Sequence, residues 1–151
     1  MDGKEAHELL VEVFDEICDK ADEVGFKNLS KLEQYVFAIW QLDAEVCNGG
    51  FHQYMVNSFS DHALVALEGL EEMGARDIAE VCKKFFALLP GGKPAATDEE
   101  RQEQLEAVED AMGEEAFDEQ CAKLEERLYG LNGDLYERMA AFVRAKGLGG
   151  A

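Results

Sequence analysis

Basic side chains are scarce in this sequence relative to acidic ones. Its 151 residues include 14 Lys and Arg against 33 Asp and Glu, which leaves a formal net charge of −19. A surface of this charge repels the phosphates of nucleic acids and of anionic membranes. We therefore expect no direct binding to nucleic acid or to membranes, and we expect the natural partner to be a cationic protein.

Long apolar runs, CxxC pairs and closely spaced histidines are also missing. No stretch approaches the roughly 20 apolar residues of a membrane span, and no basic-then-apolar leader pattern follows Met1, so we expect a cytoplasmic protein. The four cysteines are widely separated, which is typical of free thiols rather than of a disulfide or metal framework. His7, His52 and His62 do not form an HxxxH pair, and the sequence indicates no metal site and no cofactor.

Apolar residues recur every three or four positions along most of the chain, which indicates α-helices. Capping-box patterns at Ser30 and at Thr97 predict where two helices begin. The sequence therefore predicts an all-α fold in a single compact domain, residues 1–146, followed by a flexible Gly-rich tail, residues 147–151. We expect seven or eight helices, at about 6–21, 30–47, 51–59, 61–73, 75–89, 97–112, 117–128 and 135–143. The second of these carries few charges, so it is expected to be central.

Acidic residues are concentrated in two segments. Residues 1–23 contain nine acids against two lysines, and residues 98–119 contain eleven against a single arginine. Helical spacing aligns many of these carboxylates into two stripes, each on the side of its helix away from the apolar face. The stripes include Glu8, Glu12, Asp15 and Asp19 in the first segment, and Glu99, Glu103, Glu106 and Asp110 in the second.

The distance between neighbouring carboxylates in these stripes is relevant to their function. Neighbouring carboxylates on a helix lie roughly 5–6 Å apart, which is comparable with the separation of phosphates along one DNA strand. Like charges at this spacing destabilise a helix, and lysines that would relieve the repulsion are nearly absent from both segments. The stripes therefore indicate either a functional anionic surface or a solvated face that only maintains solubility.

The stretch EVCNGGFHQYMVN, residues 45–57, differs from the rest of the chain. In a structural interpretation, Asn48 and Gly49 take positive φ and close the second helix. Gly50 then lets Phe51 begin the next helix at a sharp angle. Two chemical interpretations compete with this one: a nucleophile formed by Cys47 with His52, and a ligand pocket. The residues expected around that pocket are Glu45, Asn48, His52, Gln53 and Tyr54.

The same stretch resembles the signature of a family of small acidic bacterial proteins that includes a DNA-mimic protein. The matching positions are Glu45, Asn48, Gly49, Gly50, Phe51, Gln53, Tyr54 and Asn57. Met55 departs from the family pattern, which has an aromatic residue there. The resemblance extends over residues 5–145 and implies an all-α homodimer. It also implies that surface carboxylates imitate the phosphates of a duplex and thereby occupy a DNA-binding protein.

These observations together predict a non-enzymatic protein that mimics the DNA backbone. Its partner would be a cationic DNA-binding protein, such as a transcription factor or a nucleoid protein, which it regulates by competing with DNA. The eight stripe acids are the expected contact residues. One alternative is a small enzyme or ligand-binding domain with a pocket at the Asn48–Tyr54 motif. The other is an acidic accessory protein whose charge serves solubility only.

Overall fold

The computed structural model describes residues 2–147, and its secondary structure is helical, with no strand in that range. The all-α prediction is confirmed. The predicted tail, residues 147–151, lies outside the described residues except for Gly147. The α-helices are α1 (Gly3–Val24), α2 (Lys31–Val56), α3 (Ala63–Glu72), α4 (Arg76–Leu88), α5 (Asp98–Met112) and α6 (Glu114–Ala145). No helix within residues 2–147 combines the length and the apolar character needed to cross a bilayer.

Side-chain caps begin the helices where the sequence predicts. The Ser30 hydroxyl accepts a hydrogen bond from the Glu33 amide, and the Glu33 carboxylate accepts one from the Ser30 amide, so the capping box at the start of α2 is complete. At α5, Thr97 accepts from the Glu100 amide, but the Glu100 carboxylate binds the Thr97 hydroxyl rather than its amide. Both predicted helix starts are confirmed.

Helix α2 is the centre of the domain, as its low charge predicts. It packs against α1, α3, α5 and α6, and it supplies fully buried side chains such as Val36, Ile39 and Val46 to the core. Helix α6 is the second organising element, since it contacts α1, α2, α4 and α5. Helices α1 and α5 therefore lie against the same long helix, and each keeps one face open to solvent.

The predicted number of helices is too high for the described residues. The segments expected at 117–128 and 135–143 form one helix, α6, of 32 residues. Gly130 and Gly133 suggest a break between them, but neither has a positive φ and both lie within the helix. Glycine in a helix interior costs only about 1 kcal/mol relative to alanine, and packing of the apolar faces on either side outweighs that cost.

The segment predicted as a short helix at 51–59 is the second arm of α2. It ends at Val56 and is followed by a 3₁₀ turn over Ser58–His62. The two arms meet at a kink, which defines the geometry of the motif.

Candidate functional site

The kink in α2 depends on one glycine. Gly50 has φ 79° and ψ −177°, a conformation that is essentially restricted to glycine. Asn48 and Gly49 do not have positive φ, so the prediction that they close the helix is wrong. The hydrogen-bonded helix continues through both residues, and the direction changes only at Gly50.

A carboxylate from α6 caps the second arm. Glu125 Oε2 accepts a hydrogen bond of 2.9 Å from the Phe51 amide, one of the amides that the kink would otherwise leave without an acceptor. A Cβ atom on Gly50 would lie 2.5 Å from the same oxygen. Gly50 is therefore required for two reasons, its backbone conformation and the close approach of Glu125.

A second carboxylate joins the two arms. Glu45 lies in the first arm, and its Oε2 accepts hydrogen bonds from Gln53 Nε2 at 3.0 Å and from Asn57 Nδ2 at 2.5 Å. Gln53 lies in the second arm, and Asn57 caps its end. The polar residues of the motif thus bind one another across the kink and hold its angle.

The aromatic residues of the motif are part of the core. Phe51 is fully buried and stacks on Phe85 of α4, with ring centroids 4.4 Å apart. Tyr54 is also fully buried, and its hydroxyl has no hydrogen-bond partner among the described residues. Asn48 and His52 are exposed. The residues that the sequence suggested around a pocket therefore do not lie together. Tyr54 is in the core, Glu45 and Gln53 bind each other across the kink, and Asn48 and His52 are on the surface.

The surroundings of Cys47 and His52 do not favour the proposed nucleophile, because they do not stabilise a thiolate at Cys47. The Cys47 thiol lies 3.7 Å from Asp43 Oδ1 and 3.4 Å from Asn132 Nδ2. Burial, and then the negative charge of Asp43, raise the pKa of Cys47 to about 11, so the reactive thiolate is disfavoured. His52 faces Glu109, with 4.0 Å between Nε2 and Oε1. Residues 2–147 contain no group of three His, Cys, Asp or Glu side chains placed to hold a metal ion.

All eight acids of the two predicted stripes are exposed. On α1 the stripe comprises Glu8, Glu12, Asp15 and Asp19, and on α5 it comprises Glu99, Glu103, Glu106 and Asp110. Within residues 2–147, none of these carboxylates has a Lys, Arg or His nitrogen within 4.0 Å. Both stripes thus present carboxylates that no ion pair among the described residues neutralises.

One comparison with known proteins bears on this arrangement. The family model described as DMP19-like protein matches residues 27–146, which include the kink motif and the α5 stripe. This chain belongs to the DMP19-like protein family. No curated protein and no solved structure matches it significantly. Membership suggests a non-enzymatic DNA mimic, in agreement with the resemblance of the motif.

The two acidic stripes differ in whether they lie within the region matched by the family model. The matched region begins at residue 27, so α1 lies outside it, whereas α5 lies entirely within it. The DMP19-like part of the chain therefore contains the α5 stripe and the acids that follow it at the start of α6. Those acids are Glu114, Glu115, Asp118 and Glu119, and all four are exposed.

Arg101 is a central residue of this DMP19-like chain that sequence reasoning did not single out. It is the only cation in residues 98–119, and its side chain is fully buried. Its Nη2 donates to Asp61 Oδ1 at 2.6 Å and also binds Asp98. Its other nitrogens donate to backbone carbonyls, Nε to Met55 at 3.2 Å and Nη1 to Ala95 at 3.0 Å. The sequence could have indicated that Arg101 is buried, because helical spacing places it on the same face of α5 as the apolar residues Leu105 and Val108.

A second buried group was also missed. Asp43 is buried, and it accepts a hydrogen bond of 2.5 Å from the Tyr136 hydroxyl of α6. Burial raises the pKa of Asp43, while the hydrogen bonds from Tyr136 and Cys47 lower it in part. Because these partners satisfy the carboxylate, we interpret Asp43 as a link between α2 and α6 rather than as a reactive group.

Proposed function

We propose that this protein mimics the DNA phosphate backbone and binds a cationic DNA-binding protein, such as a transcription factor or a nucleoid protein, in competition with DNA. The α5 stripe carries the proposal. Its four carboxylates are exposed, follow one another along a helix at roughly 5–6 Å, and lie within the matched DMP19-like region. Such a row attracts the Lys and Arg side chains with which a DNA-binding protein contacts phosphates.

The electrostatics of α5 favour this use over simple solubility. The one cation of the segment, Arg101, is withdrawn into the core and paired with Asp61 and Asp98, so no surface lysine or arginine of α5 screens the stripe. Uncompensated carboxylates repel one another and weaken the helix slightly. The cations of a partner would reduce that repulsion and so stabilise the complex. A face that only maintains solubility would not require a row of carboxylates without intervening lysines.

The α1 stripe is the secondary candidate. Its acids are exposed, and the nearby Lys20 is bound to Glu33 at 2.8 Å, so that lysine is directed away from them. Because α1 lies outside the family match, we assign the main contact to α5.

A competition gel shift tests the α5 assignment. A DNA-binding protein retained on the immobilised chain at low salt would be purified and bound to duplex DNA, and the chain would then be added as competitor. We expect wild type to displace the DNA and the Glu99→Gln/Glu103→Gln/Glu106→Gln variant to do so roughly tenfold less well at low salt. The difference should shrink as salt rises, since exposed charges are screened over about 8 Å at physiological ionic strength.

A charge-matched variant controls for net charge. Glu72, Glu80 and Glu126 are exposed, lie outside both stripes and are free of ion pairs within residues 2–147, so their triple Gln variant removes the same charge elsewhere. Equal displacement by the two triple variants would exclude α5 as the mimic surface. Failure of wild type to displace DNA would leave solubility as the role of the acids.

We also propose that the protein is a homodimer, in which α2 forms the contact. Between Lys31 and Glu45 the only charged residues of α2 are Glu33 and Asp43, and both are buried, so its solvent side there is uncharged. Partly exposed aromatic rings line this side, and each lies within 6 Å of the next. They are Phe26, Phe37, Phe14, Trp40 and Tyr136. Two copies of charge −19 can approach most closely at a face without charge.

Sedimentation equilibrium tests the homodimer. We expect a mass of twice 16.8 kDa for wild type and of one chain for Phe37→Glu, because a carboxylate buried between two uncharged faces is strongly unfavourable. Leu64→Glu is the control, since Leu64 is an equally apolar but exposed residue of α3, remote in sequence from this face. A monomeric wild type, or a Phe37→Glu variant that is folded by circular dichroism and still dimeric, would contradict the assignment.

A further inference from the structure

A groove runs along α5 beside the acidic stripe. Two adjoining clefts, of about 500 Å³ and 350 Å³, share Pro90 and Ala107 in their walls. The floor of the larger cleft is apolar, formed by Leu88, Leu89, Val108, Ala111 and Met112. Leu89 and Val108 are buried, whereas Met112 is 39% exposed, Ala111 is exposed and Leu88 is partly exposed, so these three residues form the part of the floor that solvent reaches. We call these two clefts together the α5 groove.

The wall opposite α5 is held in place by hydrogen bonds. The Gln104 side chain donates to the carbonyls of Pro90 and Lys93, at 2.9 and 2.8 Å, and accepts from the Ala95 amide at 2.9 Å. Arg101 holds the Ala95 carbonyl from the other side. The groove is therefore formed before any partner binds, which lowers the entropic cost of binding.

The rim of the α5 groove is acidic. Glu100 and Glu103 line the smaller cleft, and Glu103 is also a member of the α5 stripe. A ligand lying in the groove would thus contact apolar atoms on one side and carboxylates on the other. Lys93 lines a neighbouring cleft that shares Pro90, Ala95 and Gln104 with the smaller cleft, and neither cleft of the α5 groove has a lysine or arginine in its walls.

We propose that the α5 groove docks a basic amphipathic helix of the DNA-binding partner. The apolar side chains of that helix would occupy the floor near Met112, and its Lys or Arg side chains would pair with Glu103 and the rest of the α5 stripe. This inference rests on the proposed function and extends it, since carboxylates alone would recognise charge but not shape. The apolar contact supplies affinity that salt does not screen, whereas the ion pairs weaken as salt rises.

Two synthetic peptides of equal length and charge test the groove. One is an amphipathic Leu/Lys helix, and the other has Ser in place of every Leu. By fluorescence anisotropy at physiological salt, we expect wild type to bind the Leu/Lys peptide more tightly by roughly tenfold for each leucine that the groove buries. The Ala107→Gln/Ala111→Gln variant fills the groove without changing charge, so that preference should fall to near parity while Ser/Lys binding stays the same.

A matched variant guards against binding of the Leu/Lys peptide to other apolar patches. Ala141 and Ala145 are exposed alanines of α6 with the same four-residue spacing, and their double Gln variant should keep the full preference. Equal binding of both peptides by wild type, or a preference that survives filling of the groove, would overturn the inference.

The outcomes for the groove and for DNA mimicry can be separated. If the stripe variant loses DNA displacement while the groove variant retains it in full, mimicry stands and the groove inference fails. If filling the groove removes the peptide preference but no partner is displaced from DNA, the groove remains a docking site for basic helices and the mimicry proposal fails.

Discussion

Replacing Arg101 with methionine is expected to lower the free energy of unfolding by about 3 kcal/mol, the size of effect seen when one partner of a buried ion pair is removed. For a chain of this length, that corresponds to a fall in melting temperature of roughly 6–12 °C. Circular dichroism melts or urea titrations would measure it.

The size of this effect follows from what Arg101 contacts. Its loss leaves the Ala95 carbonyl without its Arg101 donor, and it leaves the Met55 carbonyl with the Ser60 hydroxyl at 3.2 Å as its side-chain donor. A buried carbonyl that loses its partner costs about 1–3 kcal/mol. The carboxylates add less, because the side chains of Asp61 and Asp98 are 44% and 52% exposed and water can solvate them. We therefore place the loss at the lower end of the range for buried ion pairs.

Arg127→Met is the matched control. Arg127 is exposed on α6 and forms no ion pair within residues 2–147, so its replacement should change stability by no more than about 0.5 kcal/mol. Equal melting temperatures for the two methionine variants would show that Arg101 does not stabilise the junction of α2, α5 and the loop before α5.

The second large effect is expected at the α2 kink. Gly50→Ala should destabilise the protein by roughly 2–4 kcal/mol, because a residue with a Cβ is strained at φ 79°. The new methyl group would also lie 2.5 Å from Glu125 Oε2 and displace the carboxylate that caps Phe51. Thermal melts followed by circular dichroism would measure the loss.

Two comparisons separate strain from capping. Gly130→Ala is the glycine control: its Cβ would meet nothing within 4 Å and its backbone is helical, so it should stabilise the protein by up to about 1 kcal/mol. Glu125→Ala alone removes only the cap. If Gly50→Ala melted no lower than Glu125→Ala, backbone strain at residue 50 would contribute nothing and the assigned role of the kink would be wrong.

The residues that stabilise α5 also position the surfaces that we assign to the partner. Arg101 and Gln104 bind the segment that forms the far wall of the α5 groove, and their helix also carries the stripe, whose member Glu103 lines the same groove. The polar core of this region thus orients both surfaces that we assign to the partner. Modest destabilisation at Arg101 should consequently weaken peptide docking more than the loss of a surface charge would.

Local sequence determined that the chain is helical, where α2 and α5 begin, and which acids share one face of a helix. The capping residues Ser30 and Thr97 act on amides within three residues, and helical spacing by itself places Glu99, Glu103 and Glu106 on one face. The low charge of residues 31–47 predicts that α2 is central, because a segment buried on several sides cannot carry many charges. These features depend on contacts within one turn or on composition, so a single sequence contains the information.

Tertiary structure decided the features that join distant residues. Gly50 rather than Gly49 takes the positive φ because Glu125, 74 residues from Phe51, supplies the cap at that position. Packing carries α6 through Gly130 and Gly133, where local propensity suggests a break. Arg101 is buried because Asp61, Met55 and Ala95 converge on it, and the α5 groove exists because Gln104 holds the loop at Pro90. Each depends on partners brought together only by the fold, so no local pattern specifies it.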